Sequence, residues 1–227
     1  MEHPDGINEE GRLGHVPLDR NRILGAALEV LKEVGLRDLS MKKIADKLHV
    51  KTASLYYHVK DKEELMQMLS DRICRDMAWP ESSVPWQEQI ELWAEEFRRV
   101  LLTHRDAVEL FKQTIARGVE RLTQIEKLYQ LLVAAGFQDA YIPWISSILK
   151  NYVLSFVSEN VQLMTIANDQ FTSSDNMSEH YDHFYSQLPE DKFPNMIRLA
   201  PIVTRPEWEK EFQFGLGVLI NGLANKR

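Results

Sequence analysis

Apolar residues recur at intervals of three and four along most of this 227-residue chain, and no stretch alternates apolar and polar residues over the length of a strand. Gly35 follows the clearest of these stripes, in the position where a left-handed residue commonly ends a helix. That stripe consists of Ile23, Ala26, Ala27, Val30, Leu31 and Val34. The spacing predicts an all-α fold.

Two short helices are predicted after this first one. Ser40 can cap a helix whose apolar stripe, from Met41 to Leu48, covers only two turns, and a second short helix is expected from about Lys51 to Tyr57. Asp61 and Glu64 then form an N-cap and N3 pair that opens a longer helix. Two short helices between a longer helix and a capped one are the arrangement of a helix-turn-helix.

Charge is distributed unevenly along the chain. The whole sequence has a net charge of -7, yet residues 18–62 carry ten Lys and Arg against six Asp and Glu. This segment therefore has a net charge of +4, and the remainder of the chain has a net charge of -11. A basic module on an acidic body is expected when one part of a protein binds a polyanion.

The second short helix has the composition of a DNA-reading helix. Leu55 and Val59 can turn inward with Val50, which leaves the small and hydroxyl-bearing residues facing outward. Lysines flank the helix on both sides and could neutralise phosphates. A helical hairpin with a solvated basic face would show the same spacing. Of these two interpretations, DNA binding is favoured.

Segment 39–65, LSMKKIADKLHVKTASLYYHVKDKEEL, resembles the signature of the tetracycline-repressor (TetR) family: a serine or threonine start, an I-A-x-x-L body and an L-Y-x-H-V-x-x-K ending. His49 departs from it, because the family usually has glycine in the turn. The resemblance implies base-edge contacts at Lys42, Thr52, Ala53 and Tyr57. It implies phosphate contacts at Ser40, Ser54, Tyr56 and Lys62.

The C-terminal half is similar to the tetracycline-repressor branch of that family in the order and spacing of short motifs, among them LLTHRD at 101–106 and Gly136-Phe137. The resemblance implies that two C-terminal helices pair with those of a second subunit in a four-helix bundle. The helices predicted over 139–165 and 206–224 are apolar on more than one face, which also favours a homodimer. Helices buried within a larger monomer are the alternative.

Four regions are expected along the chain: a flexible tail over 1–17, a helix-turn-helix domain over 18–62, a connecting helix and linker over 63–85, and a ligand-binding and dimerisation domain over 86–227. Within the last, residues 168–205 are polar and interrupted by prolines. We expect loop or poorly ordered chain there, with at most a short helix around Glu179–Leu188.

A cluster of aromatic residues in the C-terminal half favours a cavity for a small-molecule effector over a constitutive DNA-binding protein without a ligand. In register with the tetracycline repressors, the positions that hold magnesium-tetracycline through polar groups fall on Trp93, Phe111 and Ile115, whereas Glu159 keeps an acidic group. The resemblance therefore implies an apolar, metal-free effector that releases a repressor from a palindromic operator. The expected ligand contacts are Trp93, Phe97, Phe111, Thr114, Ile115, Tyr152, Phe156 and Glu159.

Other function classes have little support in the sequence. Gly215-Leu216-Gly217 lacks the third glycine and the strand of a dinucleotide site, and no nucleophile motif is found, so an enzyme is a distant alternative. His180 and His183 have no evident third metal ligand. The single cysteine, Cys74, is interpreted as a packing residue. We expect a cytoplasmic regulator without cofactor, metal or membrane span.

Overall fold

The computed structural model describes residues 17–171 and 173–226, apart from the side chain of Ser174. The described residues form helices connected by turns, with no strand among them, and the all-α prediction is confirmed. Residues 1–16 of the predicted tail lie outside the described residues. The helices are α1 (Arg20–Asp38), α2 (Met41–Leu48), α3 (Thr52–Tyr56), α4 (Lys62–Cys74), α5 (Trp86–Thr103), α6 (Ala107–Gln113), α7 (Val119–Ala134), α8 (Ile142–Gln170), α9 (Ser174–Ser186), α10 (Pro194–Val203) and α11 (Trp208–Ala224).

The caps predicted in the N-terminal part are present. The Ser40 hydroxyl accepts from the Lys43 N–H at 3.3 Å, and the Asp61 carboxylate accepts from the Glu64 N–H at 2.8 Å. Gly35 has φ +80° near the end of α1, as predicted from its position after the apolar stripe. The local sequence signals therefore place the first four helices correctly.

Helix α4 lies between the two parts of the molecule. It packs against α1 on the N-terminal side and against α6 and α7 on the C-terminal side. The 29-residue α8 forms the centre of the C-terminal part and packs against α5, α7 and α11, with Leu149 and Val153 fully buried. A movement of α4 relative to α7 would therefore also move the helix-turn-helix.

The expectation of loop over residues 168–205 is wrong, apart from the short helix expected around Glu179–Leu188, most of which lies in α9. Most of this segment is helical, in the end of α8 and in α9 and α10. Helix α9 begins after Ser173, whose hydroxyl accepts from the Asn176 N–H at 3.2 Å. A buried polar network joins α9 to α10, since Ser178 donates to the Thr204 carbonyl and Thr204 donates to Asp182, each at 2.6 Å. Hydrogen bonds stabilise the pair, so apolar periodicity is a weak guide there.

None of the helices in the described ranges is long and apolar enough to cross a membrane.

Candidate DNA-binding surface and ligand cavity

Helices α2 and α3 form the helix-turn-helix, and His49 makes the turn between them. His49 caps α2 in the left-handed conformation, at φ +55° and ψ +40°, and its N–H bonds back to the Asp46 carbonyl at 3.2 Å. Histidine is among the residues that tolerate this region better than most. The departure from the family's usual glycine therefore leaves the turn intact. Leu55 and Val59 are fully buried beneath α3, as predicted.

The residues predicted to contact DNA are distributed over the start of α2, the whole of α3 and the start of α4. Ser40, Thr52 and Ser54 are half-buried, whereas Lys42, Ala53, Tyr56, Tyr57 and Lys62 are exposed. Tyr57 is the extreme case, with 89% of its surface exposed. A bulky aromatic side chain that packs so little within the protomer is available for an external partner.

A cavity of about 500 Å³ lies in the C-terminal part, enclosed mainly by α4 to α8. Trp93 and Phe97 on α5 stack with ring centroids 5.7 Å apart, and Phe111 on α6 meets Phe97 edge-on at 5.6 Å. Leu128 and Leu154 add apolar surface from α7 and α8. The volume is within the range of pockets that enclose a drug-sized molecule.

Five of the eight predicted ligand contacts line this cavity and three do not. Trp93, Phe97, Phe111, Thr114 and Ile115 are in its wall.

Tyr152, Phe156 and Glu159 are outside the cavity wall. The Tyr152 hydroxyl donates to the Phe212 carbonyl at 2.6 Å, and the Phe156 ring packs against Phe212 and Trp208. These two aromatic residues join α8 to α11 in the protomer.

Sequence reasoning missed Arg121, which is the most buried charged residue in the cavity wall. Its guanidinium donates to the Thr114 hydroxyl at 2.8 Å and lies over the Phe111 ring, 4.6 Å from the centroid. Burial lowers the pKa of this guanidinium, although arginine stays charged under ordinary conditions. A signal was available: Arg121 precedes Leu128 by seven residues and so lies on the same face of α7.

Cys74 also lines the cavity, from the last residue of α4. Burial raises the pKa of its thiol to about 12. A protonated, buried thiol is a small apolar group and not a nucleophile. The prediction that Cys74 is a packing residue agrees with this environment.

The cavity is connected to the DNA-binding part through α4. The Asp71 carboxylate on α4 accepts from the Arg121 N–H at 2.8 Å, and the Gln124 amide of the cavity wall donates to the Cys74 carbonyl at 3.0 Å. Gly118 precedes α7 directly beneath Asp71, where a Cβ would clash with the carboxylate. A glycine is therefore required for this close approach.

A second connection runs from the start of α6 to the end of α1. The Asp106 carboxylate accepts from the Leu36 N–H at 2.7 Å, and the Arg105 guanidinium donates to the carbonyls of Lys32 and Glu33 at 3.0 and 2.9 Å. The end of α1 is thus held by polar groups that belong to the C-terminal part.

Comparison with known proteins identifies the family. The profile described as "Bacterial regulatory proteins, tetR family" matches residues 23–69, and the profile "Tetracyclin repressor-like, C-terminal domain" matches residues 79–227. The chain belongs to the TetR family. It is a DNA-binding, ligand-responsive transcriptional regulator of that family.

Individual relatives agree with this assignment. An HTH-type transcriptional regulator from Saccharopolyspora erythraea is 30% identical over 208 residues, which is 91% of this chain and 85% of the relative. The class D tetracycline repressor from Escherichia coli is 27% identical over 90% of this chain and 88% of its own. Streptomyces coelicolor ActR in complex with actinorhodin superposes with a TM-score of 0.82 at 28% identity, covering 92% of this chain and 96% of ActR.

Side chains that can ligate a metal do not cluster in the described part of the chain. Within residues 17–171 and 173–226, no group of three or more His, Cys, Asp or Glu side chains could hold a metal ion. His183 pairs with the Gln187 amide at 2.8 Å, and the His180 ring packs against Phe171. Both histidines have protein partners in α9 and its surroundings.

Proposed function

We propose that this protein is a homodimeric repressor that binds a palindromic operator and is released by a largely apolar, aromatic effector in the cavity. The single observation that carries the proposal is a cavity of about 500 Å³ with three contacting aromatic rings in its wall, next to the helix that leads to the N-terminal part. An apolar molecule gains roughly 25 cal/mol for each Å² of apolar surface that it buries. The protein acts in the cytoplasm, and it acts as a regulator and not as an enzyme.

The composition of the cavity wall supports an effector bound without magnesium. The resemblance to the tetracycline repressors implies that Trp93, Phe111 and Ile115 stand where that branch uses polar groups, and the described wall contains no Asp, Glu or His. Magnesium prefers six oxygen ligands and gives up its water reluctantly. The charged groups of the wall are cations, Lys112, Arg121 and Lys150, and they would repel magnesium and not replace that water.

The thiol in the described wall is not set up for covalent chemistry. Cys74 is the one thiol of this wall, and burial keeps that thiol protonated with a pKa of about 12. Without a histidine beside it, Cys74 has no base to activate it. Cys74 therefore acts as a packing group of the cavity wall, as expected of a site that binds a molecule without turning it over.

The coupling follows from the position of α4. An effector that contacts Phe111, Arg121 or Gln124 would shift α7 and α6 against α4 and the end of α1. The two recognition helices of a dimer must lie in major grooves about one helical turn apart. A tilt of each α4 would change the distance between these helices, so that they no longer fit both grooves. A coupling of about 1 to 3 kcal/mol lowers operator affinity roughly 5- to 150-fold.

Apolar side chains exposed on α8 and α11 support the dimer. Trp144 and Ile148 project from α8, and Phe214 and Val218 project from α11. Each pair is four residues apart and so forms one stripe on its helix. Two such helices from each of two protomers could bury these stripes in a four-helix bundle.

The proposal is tested on an operator selected by the purified protein from random duplexes. We expect a palindromic consensus, and we expect flat aromatic compounds, added without magnesium, to release the labelled operator in fluorescence anisotropy. Tetracycline with and without magnesium is the comparison arm. Tight, magnesium-dependent release by tetracycline would contradict the metal-free cavity, and release by no aromatic compound would contradict the effector class.

A further inference from the structure

The cavity wall has a charge pattern that an apolar effector would leave unused. Lys112, Arg121 and Lys150 line it, and no carboxylate lines it within the described part of the chain. The protein as a whole has more acidic than basic residues, with a net charge of -7. The cavity wall is therefore positively charged in a protein whose net charge is negative. This contrast points to a negatively charged ligand.

Arg121 is the innermost of the three cations. It is 9% exposed, and its guanidinium bonds to neutral groups: the Thr114 hydroxyl at 2.8 Å, the Thr114 carbonyl at 3.3 Å and the Phe111 carbonyl at 3.4 Å. No carboxylate of the described residues lies within 4.0 Å of it as an ion-pair partner. A buried charge without a direct ion pair is costly; burial lowers the pKa of this guanidinium and outweighs the Asp71 carboxylate, which acts on it from beyond ion-pair distance. A ligand carboxylate would supply the missing charge.

The two lysines lie nearer to solvent. Lys112 is exposed, and its ammonium donates to the Ser158 hydroxyl at 2.9 Å. Lys150 is half-buried on α8, and its ammonium has neither a hydrogen bond nor an ion pair with any residue that the structure describes. Lys150 can therefore turn toward a ligand without breaking an existing contact.

Trp93 provides a second, independent sign of an acceptor-bearing ligand. Its side chain lines the cavity and is 4% exposed, and its indole Nε1 is buried without an acceptor among the described residues. Buried polar groups in native proteins are almost always paired, so an orphan N–H in a cavity wall indicates an oxygen of a bound molecule. The indole can only donate, which excludes a ligand that offers donors alone.

We infer that the effector is an aromatic anion, in which a fused or extended ring system carries a carboxylate or an acidic phenol. The rings occupy the wall of Trp93, Phe97 and Phe111, and the anionic group faces Arg121 and Lys150. This inference deepens the proposed function and rests on it. A neutral hydrocarbon of the same shape would leave Arg121 without an ion-pair partner and the Trp93 indole without an acceptor.

Matched pairs of compounds test the inference on the full-length protein. Calorimetric titrations compare 2-naphthoate and anthraquinone-2-carboxylate with their uncharged carboxamides. We expect each carboxylate to bind at least about tenfold tighter than its amide, because a hydrogen bond to a charged group exceeds one to a neutral group by about that factor.

Variants of the cavity wall test which residues cause this preference. Lys150→Met should reduce the preference for the carboxylate, and Arg121→Met should reduce it more. Arg121→Lys should retain most of it, and Lys192→Met, at an exposed lysine in the loop after α9, is the control for net charge.

Each outcome bears on one of the two proposals. If acids and amides bind equally well and the three cavity substitutions leave their ratio unchanged, the anionic class is wrong and the aromatic cavity stands. If no compound binds to the solubility limit, the effector proposal itself fails together with the inference. Should Arg121→Met unfold the protein, as judged by circular dichroism, the ratio measured on Lys150→Met decides alone.

Discussion

The carboxylate of Asp71, on the helix that leads from the DNA-binding part, accepts a 2.8 Å hydrogen bond from the backbone N–H of Arg121, whose side chain is in the cavity wall. Arg121 is the third residue of α7, so Asp71 satisfies one of the free N–H groups that begin this helix. Gly118, the N-cap residue, has no side chain to do so. A capping interaction between two helices thus joins the ligand cavity to α4.

Replacing Asp71 by alanine should weaken the response to effector more than it weakens effector binding. Without the cap, α7 can shift while α4 stays in place, so the ratio of operator affinities without and with effector should fall by up to about tenfold. Anisotropy of a labelled operator, measured with and without saturating effector, gives the ratio. Glu126→Ala, which removes a carboxylate from the exposed face of α7, is the control. An unchanged ratio in Asp71→Ala would contradict the link.

Apolar spacing predicts the position of α7 but not its buried face. This spacing predicts a buried stripe on α7 that includes Leu122 and Val133, yet both are exposed, and Arg121 is buried. The true stripe is rotated by one residue, because a charged residue occupies a core position that apolar spacing does not count. The short α6 was not predicted at all, since seven residues are too few to show a period.

Trp93, Phe111 and Ile115 are predicted by register with the family and not by spacing. Apolar pattern alone could not decide which face of α8 would line the cavity. Leu154 lies in the cavity wall, whereas Tyr152 and Phe156 face α11. Both faces of α8 are apolar, so the choice depends on tertiary packing.

Tyr57 should contribute to operator binding without contributing to stability. Its side chain is 89% exposed, so Tyr57→Ala removes almost no packing. We expect the free energy of operator binding to weaken by about 1 to 3 kcal/mol while the melting temperature stays within error.

Lys62 should contribute to binding in a different way, through a phosphate. Lys62→Ala should weaken binding to all duplexes and reduce the slope of log affinity against log salt by about one unit. The proposed docking would be wrong if both variants bound the operator as the wild type does.

Glycine at the turn of the helix-turn-helix should stabilise the protein. His49 holds the left-handed conformation at φ +55°, which glycine adopts without steric strain. The gain is partly offset because glycine also loosens the unfolded chain, so we expect His49→Gly to raise the free energy of unfolding by about 0.5 kcal/mol. Urea unfolding of this variant beside His49→Ala measures the difference. The prediction fails if the alanine variant is the more stable of the two.

Cys74 should be unreactive in the folded protein and reactive in the unfolded one. With a pKa of about 12, the folded thiol is ionised in only about one molecule in ten thousand near pH 8. Labelling by Ellman's reagent should therefore be slow without urea and rapid with it. Because folding raises the pKa of the Cys74 thiol, its contribution to the free energy of unfolding is complete below the unfolded pKa of 9.0. That contribution is lost as the pH rises toward 12. Cys74→Ala should flatten this alkaline decline, and rapid labelling of the native protein would show that the thiol is accessible.

A charge on the exposed stripe of α11 should separate the proposed dimer and leave the protomer folded. Phe214 is 76% exposed, so Phe214→Glu removes no packing within the chain, but it would place two carboxylates in the four-helix interface. A buried, unpaired charge costs about 3 kcal/mol or more, which corresponds to a rise of about a hundredfold in the dimer dissociation constant. Sedimentation at micromolar concentration should show a monomer with unchanged helical circular dichroism and weakened operator binding.

Two further variants distinguish loss of the interface from loss of the fold. Val203→Glu, on the exposed surface of α10, is the matched control and should sediment as the wild type does. Phe156→Glu should instead unfold the protomer, because Phe156 packs on Phe212 and Trp208 within one chain. If Phe214→Glu sediments as a dimer, the stripe on α11 is not the interface. If the wild type is a stable monomer at the same concentration, the proposed palindromic recognition loses its second recognition helix, and one half-site should then suffice for full affinity.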